Sequence, residues 1–156
     1  MKFLIVSYSR TGITNTVMTF LASDISANME RIQCLRNWNG RWGYIPACYE
    51  CCGGNLPMLK PQKRILSMYG TVVVARSIWG SNALTPLRAF LNQYRQHFPN
   101  LALLLAHGGS GGDQNLRQMQ MMSGKALIPT LVLKMSDVTK ELCSVPLLAF
   151  VTKIQN

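Results

Sequence analysis

Ser9, Thr11 and Thr14 place three hydroxyls within six residues, around Gly12 and beside Arg10 and Ile13. Hydroxyls donate hydrogen bonds to anionic oxygens, and Gly12 lets the main chain approach a ligand with no Cβ in the way. If a helix starts at this point, its unpaired N–H groups and the positive end of its dipole add to the attraction. That is chemistry for gripping a phosphate. No Lys follows in the G-K-[ST] arrangement, so the stretch is not a nucleoside-triphosphate loop. The dinucleotide fingerprint G-x-G-x-x-G is missing as well. An ordinary Ser/Thr-rich capped turn has the same composition, and only position in the fold separates the two readings.

Other reactive side chains are sparse. Cys48, Cys51 and Cys52 contain a C-x-x-C pair, which can form a redox disulfide or half a zinc site. Neither Cys34 nor Cys143 supplies a second pair nearby in sequence, so reduced thiols are the expectation. Met119, Met121 and Met122 read as soft core filling, and His97 falls on the polar side of a helical pattern. No Ser-His-Asp set, carboxylate pair or metal-ligand spacing occurs, which leaves hydrolytic mechanisms without support.

The elements that would position the hydroxyl loop alternate between strand and helix. Phe3 to Ser7 is a short apolar run closed by turn residues, as expected for a strand buried on both faces. From Thr14 the period becomes helical, with Val17, Phe20 and Leu21 on one face. Glu30 to Leu35 reads as a second strand, and Arg36 to Leu59 as a long connection. Pro61 could open a short helix carrying Ile65, Leu66 and Met68 and stopped by Gly70. Thr71 to Ala75 is β-branched and uncharged, the clearest strand in the chain. Pro86 suits a first helical turn, and Leu87, Phe90, Leu91, Tyr94 and Phe98 continue at helical spacing. Leu101 to Ala106 is a buried strand, Gln114 to Ser123 a helix closed by Gly124, and Thr130 to Leu133 a fifth strand. A last helix starts near Ser136 or Asp137, with Pro146 as a kink or restart.

Five βα units in this order imply a parallel sheet with right-handed crossovers and helices on both faces. Ligands of such sheets bind beyond the carboxyl ends of the strands, where strand order reverses. The loops after the first, third and fourth strands are the places to look.

The 156 residues suit a single domain over 1–156, and 48% hydrophobic against 14% charged is a globular composition. No apolar run reaches the roughly 18–20 residues of a membrane span. The apolar start at Phe3 ends too soon for a signal peptide and has no cleavage site after it, so a cytoplasmic location is expected. Five cysteines, an odd number, suit a reducing compartment. With 16 Lys+Arg against 6 Asp+Glu, the formal charge is +10, which favours acidic partners. The cations are scattered and carry no nucleic-acid motif, so a generally positive surface is expected rather than specific nucleic-acid binding.

Ser9-Arg10-Thr11-Gly12-Ile13-Thr14 resembles the flavodoxin phosphate loop, S/T-x-T-G-x-T. The stretch from Ala75 to Leu91 is similar to that family's G-T-P-I-W-x-G-x-x-x-x-P-L-R-x-F-L segment. The resemblance implies a flavodoxin-like α/β/α sandwich on a five-stranded parallel sheet, with FMN as cofactor. It implies that residues 9–14 hold the FMN phosphate, and that the loop from Arg76 to Asn82, with Arg76, Ser77, Ile78, Trp79, Gly80 and Ser81 as binding residues, lies against the isoalloxazine ring. Trp79 would stack on that ring, where stacking contributes about 0.5–1.5 kcal/mol beyond burial. Gly80 would put a main-chain group near the flavin N5. His107, Gly108, Gly109 and Gly112 would face the pyrimidine edge, with His107 able to donate a hydrogen bond or move a proton.

Arg76 and Ser77 stand where the family often has a small residue and Pro, and Ser81 where Gly is common. A cation at Arg76 would meet the phosphate or the negative charge of a reduced ring. Shuttle flavodoxins are strongly acidic, whereas this chain is basic. The expected function is therefore electron transfer with an acidic redox partner or a small-molecule donor, or a small FMN-dependent oxidoreductase. Two competing readings are a binding or regulatory module of the same fold that has lost FMN, and a phosphate-ligand protein using the first loop alone.

Overall fold

The computed structural model describes residues 2–8, 13–35, 56–78, 85–107, 112–124, 129–134, 136 and 144–155. Its elements are β1 (Phe3–Tyr8), α1 (Ile13–Asp24), β2 (Asn28–Arg31), β3 (Thr71–Ile78), α2 (Thr85–Gln93), β4 (Leu101–His107), α3 (Gly112–Ser123), β5 (Thr130–Lys134) and α4 (Ser144–Gln155). The strands form one parallel sheet in the order β2-β1-β3-β4-β5. Strand order reverses between β1 and β3, which are neighbours in register from Phe3 opposite Thr71 to Tyr8 opposite Arg76.

The uninterrupted apolar strands follow from covering the sheet on both sides, since alternate residues then enter different cores. Leu4, Val6, Val72, Val74, Leu103 and Leu105 pack beneath Leu87, Phe90 and Leu91 of α2 and Met119 of α3. Ile5, Val73, Ala75, Ala102 and Leu104 meet Val17, Met18 and Leu21 of α1 and Phe150 and Ile154 of α4. Three layers result.

Several boundaries depart from the sequence expectation for identifiable reasons. The face of α1 that packs on the sheet runs through Val17, Met18 and Leu21, while Phe20 is 60% exposed. No helix follows Pro61; only a 3₁₀ turn at Leu66–Met68 forms. The amides around Pro61 are instead tied to distant parts of the chain. Lys60 N–H donates to the Gln33 carbonyl, Gln62 N–H to the Tyr94 hydroxyl, and Lys63 N–H to Glu30 Oε1 at 2.6 Å. The second strand covers Asn28–Arg31 rather than Glu30 to Leu35, because the chain then pairs with its own return: Cys34 bridges Leu59 antiparallel. Helix α2 ends at Gln93 and a 3₁₀ turn, Arg95–His97, turns Phe98 under Phe90, ring centroids 5.7 Å apart.

Two helix ends show how the local sequence stops them. Helix α1 closes in a Schellman motif, with Ala27 N–H donating to Ala22 O and Ser26 N–H to Ser23 O, and Ser26 at φ 49°. Helix α3 ends before Gly124 at φ 60°, the glycine stop that the sequence predicted. Pro146 lies in the first turn of α4, where its missing N–H costs no helical bond.

Candidate functional site

At the carboxyl edge of the sheet, three of the loops expected to carry chemistry leave β1, β3 and β4. Ser9, Arg10, Thr11, Gly12, Trp79, Gly80, Ser81, Gly108 and Gly109 lie outside the described residues, as do Cys48, Cys51 and Cys52. What flanks them is defined. Tyr8 ends β1 and Ile13 opens α1, so residues 9–12 join a buried strand to the start of a twelve-residue helix. The backbone of Ile13 and Thr14 forms the first turn of α1, where N–H groups lack intrahelical partners. That first turn holds no acidic residue, so the positive end of the dipole is not neutralised locally. Gly112 likewise opens α3, beyond the glycine-rich stretch after β4.

Arg76, Ser77 and Ile78 are not loop residues. They extend β3 to eight residues, pairing with Leu105, Ala106 and His107 of β4. The expectation of a loop from Arg76 is corrected by this ladder: β4 continues to His107, and the β3 backbone stays paired as far as its neighbour does. Nor is Arg76 a surface cation. The residue is 1% exposed and engaged by neighbouring groups of the protein. Counting by twos from Val72 and Val74 puts Arg76 on the face covered by α2 and α3.

The same count assembles the site. Tyr8, Arg76, Leu105 and Val132 form one cross-strand row, and Ile78, His107 and Lys134 form the next, nearer the carboxyl edge. His107 is half-buried, and its Nδ1 is a buried atom with no hydrogen-bond partner among the described residues. Lys134 is exposed. Three nitrogen-bearing side chains thus come from adjacent rows of β3, β4 and β5 at one edge. Sequence reasoning singled out Arg76 and His107 but missed Tyr8 and Lys134, whose places depend on register across non-consecutive strands. Among the described residues no cluster of His, Cys, Asp or Glu could hold a metal ion, and no helix is long and apolar enough to cross a membrane.

No family model and no curated protein matches the sequence. Solved structures do. A flavoprotein from Lactobacillus acidophilus NCFM, crystallised in complex with FMN, superposes with a TM-score of 0.71 at 16% identity, covering 89% of this chain and 97% of that one. A protein from Bacteroides uniformis ATCC 8492 assigned as a flavoprotein gives 0.68 at 16% identity, over 90% of this chain and 97% of that one. The apo form of the Lactobacillus flavoprotein gives 0.66 at 17% identity, over 89% and 95%. With the strand order above, these likenesses establish the fold as flavodoxin-like, a three-layer α/β/α sandwich.

Proposed function

We propose that this chain binds FMN at the carboxyl edge of its sheet and works in electron transfer, or as a small flavin oxidoreductase. The observation that carries the reading is the position of residues 9–12, between β1 and the unneutralised start of α1, at the strand-order reversal. The similarity to a protein crystallised with FMN supports the choice of ligand.

The residues present fit such a group. A phosphate needs donors and positive potential, which the first turn of α1 and the hydroxyls of Ser9, Thr11 and Thr14 can supply. An isoalloxazine ring carries polar edges, and the unpartnered buried Nδ1 of His107 is a group that such an edge would satisfy. Trp79, one residue past the end of β3, is the stacking candidate. Bound FMN supplies the redox chemistry. The chain's own work is to hold the phosphate, exclude water from the ring and set its electrostatics. Arg76, buried in β3, favours the form of the ring that carries negative charge. At a formal charge of +10, the surface attracts an acidic redox partner or an anionic small-molecule donor.

The test is a visible absorption spectrum of the purified protein followed by titration with FMN. Bound flavin gives the yellow two-band spectrum, with FMN fluorescence changing on saturation. Protein that stays colourless and leaves FMN fluorescence untouched overturns the proposal.

A further inference from the structure

The amino-terminal edge of the sheet, opposite the flavin edge, holds a groove of about 630 Å³. It lies where β1 and β2 begin and where the chain enters β3. Its described lining residues include three cations, Lys2, Lys63 and Arg64, and no carboxylate. Phe3, Ile25, Ile65 and Met68 supply apolar wall, and Ile65 and Met68 are exposed there.

Tyr69 gives the groove a specific polar point. The residue is only 8% exposed, and its hydroxyl oxygen accepts from Asn28 Nδ2 at 3.2 Å and from Arg64 Nη1 at 3.3 Å. A phenol that accepts twice still has its own proton to donate. Arg64 is held by this contact, with further N–H donors available beyond the one on Tyr69. Glu30, which is not among the described lining residues, has Oε1 occupied by the Lys63 amide and Oε2 buried without a partner among the described residues. A buried donor, an oriented guanidinium and two ammonium groups above an apolar wall are complementary to an anion with an organic body. Pockets of roughly 300–1,000 Å³ take ligands of drug or mononucleotide size.

We propose that this groove is a second ligand site, which takes a small organic phosphate of mononucleotide size. Lys2, Lys63, Arg64 and the Tyr69 hydroxyl hold the phosphate, and the organic part lies on Ile65 and Met68. The site does not serve hydride transfer to a flavin. A strand the length of β1 separates the two edges by roughly 20 Å, far beyond contact between a donor and a ring. It is a binding or regulatory site, independent of FMN occupancy.

The probe is AMP, titrated into isotope-labelled protein with and without saturating FMN, read by amide chemical shifts. Saturable shifts at Asn28, Lys63 and Gly70, the same in both conditions, are expected. Arg64→Gln and Lys63→Gln, both at exposed positions, should each weaken AMP by roughly ten-fold, one charge-assisted contact's worth, and leave FMN affinity unchanged. Tyr69→Phe, which keeps the ring packing, should weaken it as well. Inorganic phosphate should bind the same amides more weakly than AMP. Shifts confined to residues 9–14, equal affinity in the variants, or phosphate binding as tightly as AMP would each overturn the proposal. Because the AMP arm is run without FMN too, the groove is tested even in a chain that fails to bind flavin.

Discussion

Arg76 and Tyr8 are register partners across the β1–β3 ladder, at the last paired position of β1 and one strand away from the loop of residues 9–12. A buried guanidinium there raises the positive potential under any ligand on that edge. Removing it should make flavin reduction harder. Arg76→Gln is expected to lower the midpoint potential of bound FMN, with roughly 30 mV for each 1.4 kcal/mol in a two-electron couple. Arg76→Lys, which keeps the charge, should restore most of the difference. Spectroelectrochemical titration of the three proteins measures this, and an unchanged or higher value in Arg76→Gln removes Arg76 from the redox tuning.

The two faces of α1 differ sharply. Leu21 is fully buried, so Leu21→Ala should cost about 2–5 kcal/mol, whereas Phe20→Gln should stay within about 0.5 kcal/mol of the parent. Denaturant unfolding of both variants checks the assignment, with equal losses arguing against it.

Ser26 occupies the left-handed position of the Schellman motif, where a Cβ is unfavourable. Ser26→Gly should therefore stabilise the protein by about 0.5–1 kcal/mol, after allowing for the greater freedom of glycine in the unfolded chain. Thermal melts should rise by about 2–4 °C for each kcal/mol gained.

Gly124→Ala should act in the opposite direction. The positive φ strains any residue with a Cβ, whereas the Arg95 guanidinium that the new atom meets is the far end of an exposed, flexible side chain and can swing aside. A loss of about 1–2 kcal/mol is expected from the backbone. Denaturant unfolding measures it, and in the double-mutant cycle with Arg95→Ala the loss should stay nearly the same.

How much of the structure is legible in the sequence depends on whether local pattern or long-range pairing decides each feature. Thr71 to Ala75 and Leu101 to Ala106 announce buried strands by composition alone, and the stop at Gly124 needs only one residue's backbone preference. The extension of β3 through Arg76 does not read from sequence, because it is set by how far β4 continues beside it. A charged residue after an uncharged run looks like the end of a strand. Likewise, Pro61 with apolar residues behind it looks like a helix start. The partners that claim its neighbouring amides, Gln33, Tyr94 and Glu30, are some thirty residues away in the chain. For the candidate site, residue types point to the hydroxyl stretch 9–14, most of which lies outside the described residues, while the company that Tyr8 and Lys134 keep with Arg76 and His107 requires the strand order.

The antiparallel bridge between Cys34 and Leu59 is tied on either side, by Leu35 N–H to Met58 O at 2.9 Å and Lys60 N–H to Gln33 O at 2.8 Å. Those bonds act as a clasp that fixes the two ends of the span 36–55 at one spacing. Lengthening a span closed in this way costs little, since doubling it adds only about 0.6 kcal/mol of closure entropy.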